Sequence, residues 1–177
     1  QIDTYKNGKL QYLFNTTDST YVMDRNGHHV KPFPIKNQHP SSLPLALFDY
    51  DDTKNYRILI PMGNKLAMYN VQGELISGWE FTETLSNIVT TPQHCQLLSK
   101  DYIIINEQNG NMHFLNRRGQ KRLSINDKIN TTEPCQIIKG DQLNNSKVVV
   151  QDISENIIYI SFDGTIDTLK NQNFKKN

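Results

Sequence analysis

Short runs of alternating apolar and polar residues recur along the chain, and most are followed by a polar turn that ends in glycine. The runs are rich in β-branched and aromatic residues, which predicts strands rather than helices. The four turns are Asp24-Arg25-Asn26-Gly27, Asn70-Val71-Gln72-Gly73, Asn116-Arg117-Arg118-Gly119 and Ser161-Phe162-Asp163-Gly164. Their glycines are separated by 46, 46 and 45 residues. A short polar residue first and a glycine last is the pattern of a type I turn with a glycine bulge, which joins antiparallel strands. The spacing therefore indicates a duplicated β unit.

Each unit reads as four strands. The predicted strands are 2–5, 10–15, 21–24 and 30–33; 45–50, 56–61, 65–70 and 75–79; 95–98, 102–106, 112–116 and 121–125; and 135–138, 148–151, 157–161 and 166–169. Pro32 and Pro34 cannot donate to a ladder, so the strand that contains them is expected at an edge. The tail after Leu169 offers Phe174 as its apolar residue.

The period and the strand count are typical of a β-propeller blade. We predict an all-β, β-propeller-like array of four four-stranded antiparallel blades. It forms one domain over residues 1–177, with repeats at about 1–35, 44–80, 94–126 and 134–170. The alternative is a sandwich of sixteen short strands with accidental periodicity. Four blades are the lower limit for closure, so we expect part of a larger propeller whose terminal blades pair with a second copy or with further sequence.

Composition excludes some functions. The 177 residues carry a net charge of +1, which gives no bulk attraction to nucleic acid or to anionic membrane. No apolar run approaches the roughly 18 residues that span a bilayer, so no transmembrane segment is expected. The chain begins at Gln1 without a leader, and we expect it to be a mature or trimmed product.

The two cysteines, Cys95 and Cys135, occupy matching places in consecutive repeats. Their separation fits no zinc pattern. One interpretation is two small buried residues on inner strands, and the other is a disulfide between neighbouring strands.

Residues 49–55 place oxygen ligands at alternating positions, as calcium loops do, with Asp49 and Asp51 as the carboxylates. The glycine of such loops is missing and Lys54 adds a positive charge, so a polar hairpin turn is the other interpretation. The adjacent His28 and His29 would point to opposite faces of a strand and cannot easily share a metal ion. No nucleophile elbow, phosphate loop or zinc-protease motif occurs. We therefore assign no catalytic, cofactor-binding or metal-binding residue.

Three further patterns concern surfaces. A basic patch, Arg117-Arg118 with Lys121-Arg122, suits either a solvated turn or an anionic partner. Hydroxyl pairs precede three inner strands, at 41–42, 90–91 and 131–132, each with a proline close behind. They either form a ligand-binding ring on one propeller face or cap the loop backbone. Trp79, the single tryptophan, either packs between blades or marks a partner surface.

Three segments, 21–27, 47–51 and 101–104, resemble uncharacterised exported bacterial proteins of Bacteroides type with propeller repeats, many of whose larger members are lipoproteins. The early repeats are also loosely similar to quinoprotein-like and WD40-like propellers. The resemblance implies a propeller, a cell-envelope location (periplasmic or exported, with a lipid anchor in the full-length protein) and a larger parent. It implies no activity and no catalytic residues.

The sequence leaves three functional hypotheses. The first is a non-catalytic interaction or scaffold module that binds a protein partner, or itself, through a propeller face or its terminal blades, without nucleic acid or cofactor. The second is a carbohydrate- or peptide-binding module that uses the hydroxyl-rich face. The third is a fragment of a propeller enzyme whose site needs further blades.

Overall fold

The computed structural model describes residues 1–171 and shows an all-β chain. Its strands are β1 (Tyr12–Asn15), β2 (Ser19–Met23), β3 (Ile35–Lys36), β4 (Ala46–Phe48), β5 (Arg57–Met62), β6 (Lys65–Tyr69), β7 (Gln93–Leu97), β8 (Lys100–Asn106), β9 (Met112–Leu115), β10 (Lys121–Leu123), β11 (Gln136–Ile138), β12 (Lys147–Gln151), β13 (Ile157–Ser161) and β14 (Ile166–Leu169). Over this part of the chain there is no helix, and so none that is long and apolar enough to cross a membrane. The predicted tail with Phe174 lies outside the described residues.

The strands form four antiparallel sheets that follow one another along the chain. The first sheet is β1-β2-β3, the second β4-β5-β6, the third β7-β8-β9-β10 and the fourth β11-β12-β13-β14. Within every sheet each strand pairs with the next strand in sequence, so no strand of one repeat enters the sheet of another. This topology excludes the alternative of one interleaved sandwich and gives a propeller-like fold.

The four repeated turns have the predicted geometry. Their glycines Gly27, Gly73, Gly119 and Gly164 have φ of 84°, 70°, 79° and 96°. In each turn the glycine N–H donates to the carbonyl of the first turn residue, over 2.9 to 3.1 Å. A side-chain acceptor supports the turn, as where Asn70 Oδ1 accepts from Gln72 N at 2.9 Å. The left-handed conformation that each last position needs explains why glycine recurs there.

The prediction of four strands in every sheet is wrong for the first and second sheets, which have three. The strand expected at 30–33 pairs with β2 only through the Met23–His29 bridge and the Val30 N to Val22 O hydrogen bond. Pairing then stops, because Pro32 and Pro34 lack N–H donors, and resumes further on as β3.

The strand expected at 75–79 is interrupted in the same way. Leu75 bridges Tyr69, the chain then leaves the sheet, and it returns where Glu83 bridges Lys65. The strand expected at 2–5 also shrinks, to a bridge between Ile2 and Gln11. The outermost strand of each early repeat is thus interrupted by residues that leave the ladder, which costs least at an edge.

Three buried cores lie between consecutive sheets. Val22 and Phe33 of the first repeat pack with Ile58 and Ile60 of the second. Leu59 faces the opposite way and packs with Ile103 of the third sheet. Residues of the third and fourth sheets share the last core. Since strand side chains alternate between faces, each internal sheet has one face toward the preceding sheet and one toward the following sheet.

Candidate functional site

The strand registers show which side chains occupy equivalent places in the four sheets. On the second strand of each later sheet, two residues face the preceding sheet and are 0 to 1% exposed: Ile58, Ile60, Ile103, Ile105, Val148 and Val150. The equivalent residues of the first sheet are Tyr12 and Phe14, because they pair with Met23 and Tyr21 as Ile58 and Ile60 pair with Tyr69 and Ala67. Tyr12 is 54% exposed and Phe14 is 41% exposed. Positions that are buried in the core of the three later sheets are therefore exposed to solvent in the first sheet.

These residues form what we call the first-sheet face, made of Tyr12, Phe14, Tyr21 and Met23. The rings of Phe14 and Tyr21 stack with centroids 5.2 Å apart and an angle of 9° between their planes. The ring of His29 lies 5.8 Å from that of Tyr21. Large rings held in a fixed stack offer contact area at little entropic cost, as binding surfaces do.

The fourth sheet has an uncovered face as well. The last-sheet face consists of Ile138, Val149, Ile157, Tyr159 and Leu169, which the register places on the side away from the third sheet. Val149 pairs with Tyr159 as Leu59 pairs with Met68, and both of the latter are buried. Lys147 and Asp167 lie on this face too, opposite Ile138 and Tyr159 in the register, with Lys147 Nζ 3.8 Å from Asp167 Oδ2 and 5.7 Å from the Tyr159 ring centroid. Among residues 1–171, therefore, no core covers the first-sheet face or the last-sheet face, and none joins the fourth sheet to the first.

A charged cluster joins the second and third sheets on the side of the repeated turns. The guanidinium of Arg117 donates to buried Asp101, to Asp51 and to the carbonyl of Tyr50. Its Cζ lies 4.8 Å from the Tyr50 ring centroid. His94 Nε2 lies 2.8 Å from Asp101 Oδ1. Hydrogen bonds to Asp51 and Asp101 raise the pKa of Arg117 despite its desolvation, so the cation is fixed between the sheets and serves packing.

The loop with possible calcium ligands is a hairpin turn. Both carboxylate oxygens of Asp49 accept backbone N–H groups, from Lys54 at 2.9 Å and from Thr53 at 3.1 Å. Asp51 is held by Arg117, and Lys54 binds Asp3. Across residues 1–171 no group of three or more His, Cys, Asp or Glu side chains could hold a metal ion.

The hydroxyl pairs divide into a buried and an open member. Ser41, Thr90 and Thr131 are buried. Ser41 Oγ donates to Pro61 O at 2.6 Å, and Thr90 Oγ1 accepts from Asn106 Nδ2 at 3.0 Å. These bonds fix the approach to the next sheet, as the capping interpretation requires. The second members, residues 42, 91 and 132, are exposed or half-exposed, so a ligand role for them stays a prediction.

The remaining candidates are mostly structural. Cys95 and Cys135 are free buried thiols in one core, which agrees with the interpretation as buried inner residues and not with a disulfide. His28 and His29 are exposed. Trp79 is buried in the core between the second and third sheets, so it packs between blades. In the basic patch, Arg117 binds carboxylates and Arg122 lies 5.4 Å from the Tyr102 ring centroid, while residues 118 and 121 are exposed.

Sequence reasoning missed one buried ionic site. Glu107 is fully buried and accepts hydrogen bonds from His113, from Asn111 and from the backbone N–H of Ser86 at 2.8 Å. Burial raises the pKa of Glu107, but these bonds lower it by more, so the carboxyl stays charged. The signal was available, since Glu107-Gln108-Asn109-Gly110 is another polar turn ending in glycine, which brings His113 back beside Glu107.

Comparison with known proteins gives fold without function. No family model and no curated protein matches the chain. The chain is similar to the crystal structure of a computationally designed protein, Ika8, with a TM-score of 0.60, 10% identity and 90% of this chain covered. It is also similar to BBS1N in complex with ARL6DN, with a TM-score of 0.60, 16% identity and 96% covered. The chain spans about half of each, 46% and 48%. At these identities the likeness supports the propeller-like fold alone.

Proposed function

We propose that this chain is a non-catalytic interaction module that binds a protein surface through the uncovered faces of its end sheets. The observation that carries the proposal is the exposure of Tyr12 and Phe14, whose equivalents in the three later sheets are buried. Each of these rings removes a large apolar area from water when it is covered.

The rest of the molecule suits this role. The first-sheet face is continuous with a sheet whose other side packs into a buried core, so it is held rigidly before binding. Aromatic residues at the centre of a patch supply most of the binding energy in protein interfaces. A neutral chain with net charge +1 fits a partner that is recognised by shape and apolar contact.

The wider architecture in the proposal is a larger propeller in which this chain supplies four blades. Support comes from the two open faces and from the two solved structures, which are about twice as long as the matched region. The cell-envelope location and the lipid anchor of the full-length protein come from the sequence resemblance.

The test is a comparison of two charge substitutions in binding experiments with envelope proteins. Phe14→Glu places a charge in the first-sheet face, and Leu85→Glu places one at an exposed leucine outside both faces, 86% exposed. Proteins cross-linked to the wild type and to Leu85→Glu should be lost with Phe14→Glu, because a buried unpaired carboxylate opposes docking. Equal capture by all three proteins would contradict the proposal.

A second candidate, binding of a carbohydrate or peptide, is favoured by one cavity of about 460 Å³. Its lining brings Phe14 beside Asn15, Thr16 and the hydroxyl pair Ser41-Ser42. An aromatic ring beside hydroxyl and amide groups is suited to a sugar ring. Titration with short glucans and peptides should then shift backbone NMR signals of these residues. Shifts confined to other parts of the chain, or no shifts, would count against it. The enzyme-fragment hypothesis stays a prediction.

A further inference from the structure

We propose that the occupant of both end faces is a second copy of this chain, so that two copies close one ring of eight sheets. This proposal rests on the proposed function, because it names the partner of the same faces.

The two open faces are of opposite kinds. We call the side of a sheet that looks toward the sheet before it in sequence its preceding face, and the other side its following face. Every internal core joins the following face of one sheet to the preceding face of the next, as Leu59 of the second sheet meets Ile103 of the third. The first-sheet face is a preceding face, since Tyr12 and Phe14 occupy the register of Ile58 and Ile60. The last-sheet face is a following face. One copy's last sheet therefore presents what another copy's first sheet would meet inside the chain.

Head-to-tail contacts of this kind either close into a ring or continue as a filament. The lengths of similar structures favour a ring of two. The chain covers 46% of one such structure and 48% of the other, while 90% and 96% of this chain is matched. Two copies of this chain are thus about as long as one chain of either similar structure. In a two-fold ring two equivalent interfaces cover both end faces of each copy, and no end face is left open.

The chemistry of the two faces also matches an internal core. In the core between the third and fourth sheets, the rings of Tyr102 and Phe114 pack with Val148 and Val150. The first-sheet face is aromatic, and the last-sheet face mixes apolar residues with the ion pair of Lys147 and Asp167. Joining them would again set aromatic against aliphatic side chains, with the aromatic rings on the preceding face instead of the following one, and the paired Lys147 and Asp167 would leave no charge unpaired.

The experiment is light scattering of the 177-residue chain over a range of concentrations, together with two face variants. We expect the wild type to reach twice the 20.5 kDa of one chain. Phe14→Glu on the first-sheet face and Tyr159→Glu on the last-sheet face should each raise the dissociation constant more than about tenfold. Leu85→Glu is the matched control and should stay dimeric. Circular dichroism and the urea midpoint check that each variant is folded, and Tyr12→Lys replaces Phe14→Glu if the latter is not.

Mixing the two face variants distinguishes head-to-tail pairing from other dimers. In a head-to-tail heterodimer, one interface carries both substitutions and the other is wild type. The pair can associate through the wild-type interface alone, whereas either variant by itself has a substitution in both interfaces, so the mixture should dimerise more tightly than either variant alone. A dimer formed through two first-sheet faces would be insensitive to Tyr159→Glu, which would overturn the proposal. A wild type that is monomeric at all concentrations, or that forms open chains, would also overturn it. If the wild type is monomeric but binds other proteins, and Phe14→Glu abolishes that binding, the proposed function stands and the proposal of a second copy is wrong.

Discussion

Gln93 binds the backbone of Cys135 through both ends of its side-chain amide. Oε1 accepts from the N–H of Cys135 at 2.8 Å, and Nε2 donates to the carbonyl of Cys135 at 2.9 Å. Gln93 begins β7 of the third sheet, and Cys135 lies directly before β11 of the fourth. A side chain thus takes the place of a strand residue and links the innermost strands of two sheets.

Replacing this amide should weaken the joint between the two sheets. Gln93→Ala removes two hydrogen bonds to a half-buried backbone and should lower the free energy of unfolding by about 2 kcal/mol. Gln96→Ala, on the same strand but exposed, should change it by less than about 0.5 kcal/mol. Urea unfolding followed by circular dichroism measures both. Equal effects from the two substitutions would show that the link contributes nothing.

Two turn glycines, Gly27 and Gly119, distinguish the energetic cost of a strained backbone from the cost of a steric contact. Gly27 and Gly119 have similar φ, 84° and 79°. A Cβ at Gly119 would lie 2.7 Å from Phe81 N, whereas one at Gly27 would meet nothing within 4 Å. We expect Gly27→Ala to cost about 1–2 kcal/mol from the left-handed backbone, and Gly119→Ala to cost about 1–3 kcal/mol more from the close contact. Thermal and urea unfolding of the two variants give the difference. Equal losses would mean that the third turn does not pack against Phe81.

The buried carboxylate Glu107 should make stability depend on acid. Its pKa in the folded chain lies below the ordinary value of 4.5, so the unfolded chain binds the proton more readily. The stabilisation is therefore complete above pH 4.5 and is lost as the pH falls through the lower native pKa. When the pH is lowered from about 7 to about 3, the free energy of unfolding of Glu107→Gln should fall by less than that of the wild type.

Urea unfolding across that pH range, with the exposed Glu133→Gln as the control, measures this dependence. The control should follow the wild-type curve. If Glu107→Gln follows it too, Glu107 is not the group that links acid to unfolding.

The two cysteines should be chemically silent in the folded chain. Burial raises the pKa of Cys95 to about 11 and that of Cys135 to about 12, from an ordinary value of 9.0. Since the thiolate is the reactive form, labelling by a disulfide reagent at about pH 8 should be slower than in urea by about 100-fold or more. Stopped-flow absorbance measures the rates. Fast labelling of one thiol without urea would contradict the burial of both.

The repeated turns and the duplicated unit could be predicted because they depend on local chemistry. A position with positive φ selects glycine, and Gly27, Gly73 and Gly119 mark the same turn at a constant spacing. The strands of the third and fourth sheets could be predicted from their β-branched and aromatic runs, such as 102–105 and 148–150. These are properties of single strands and turns, which sequence records directly.

The outer strands and the buried ionic groups depend on tertiary context. The outermost strands of the first two sheets are interrupted, and the chain returns to each ladder several residues later. The turn at 107–110 can be read from the sequence, but the burial of Glu107 and the contact between Gln93 and Cys135 depend on partners that the fold brings to them. The exposed rings of Tyr12 and Phe14 read as core in the sequence, because their repeat equivalents are core. Whether a neighbouring sheet covers these positions depends on how the sheets stack, which the local sequence does not record.

The most direct measurement of the central claim is hydroxyl-radical footprinting of the chain at increasing concentration, read residue by residue by mass spectrometry. The account predicts that oxidation of Tyr12, Phe14 and Tyr159 falls together as the chain associates, while Leu85 and Leu98, both exposed outside the two faces, stay equally reactive. Association that protects Leu85 or Leu98 and leaves the three aromatic residues unchanged would contradict the assignment of the end faces as the binding surfaces.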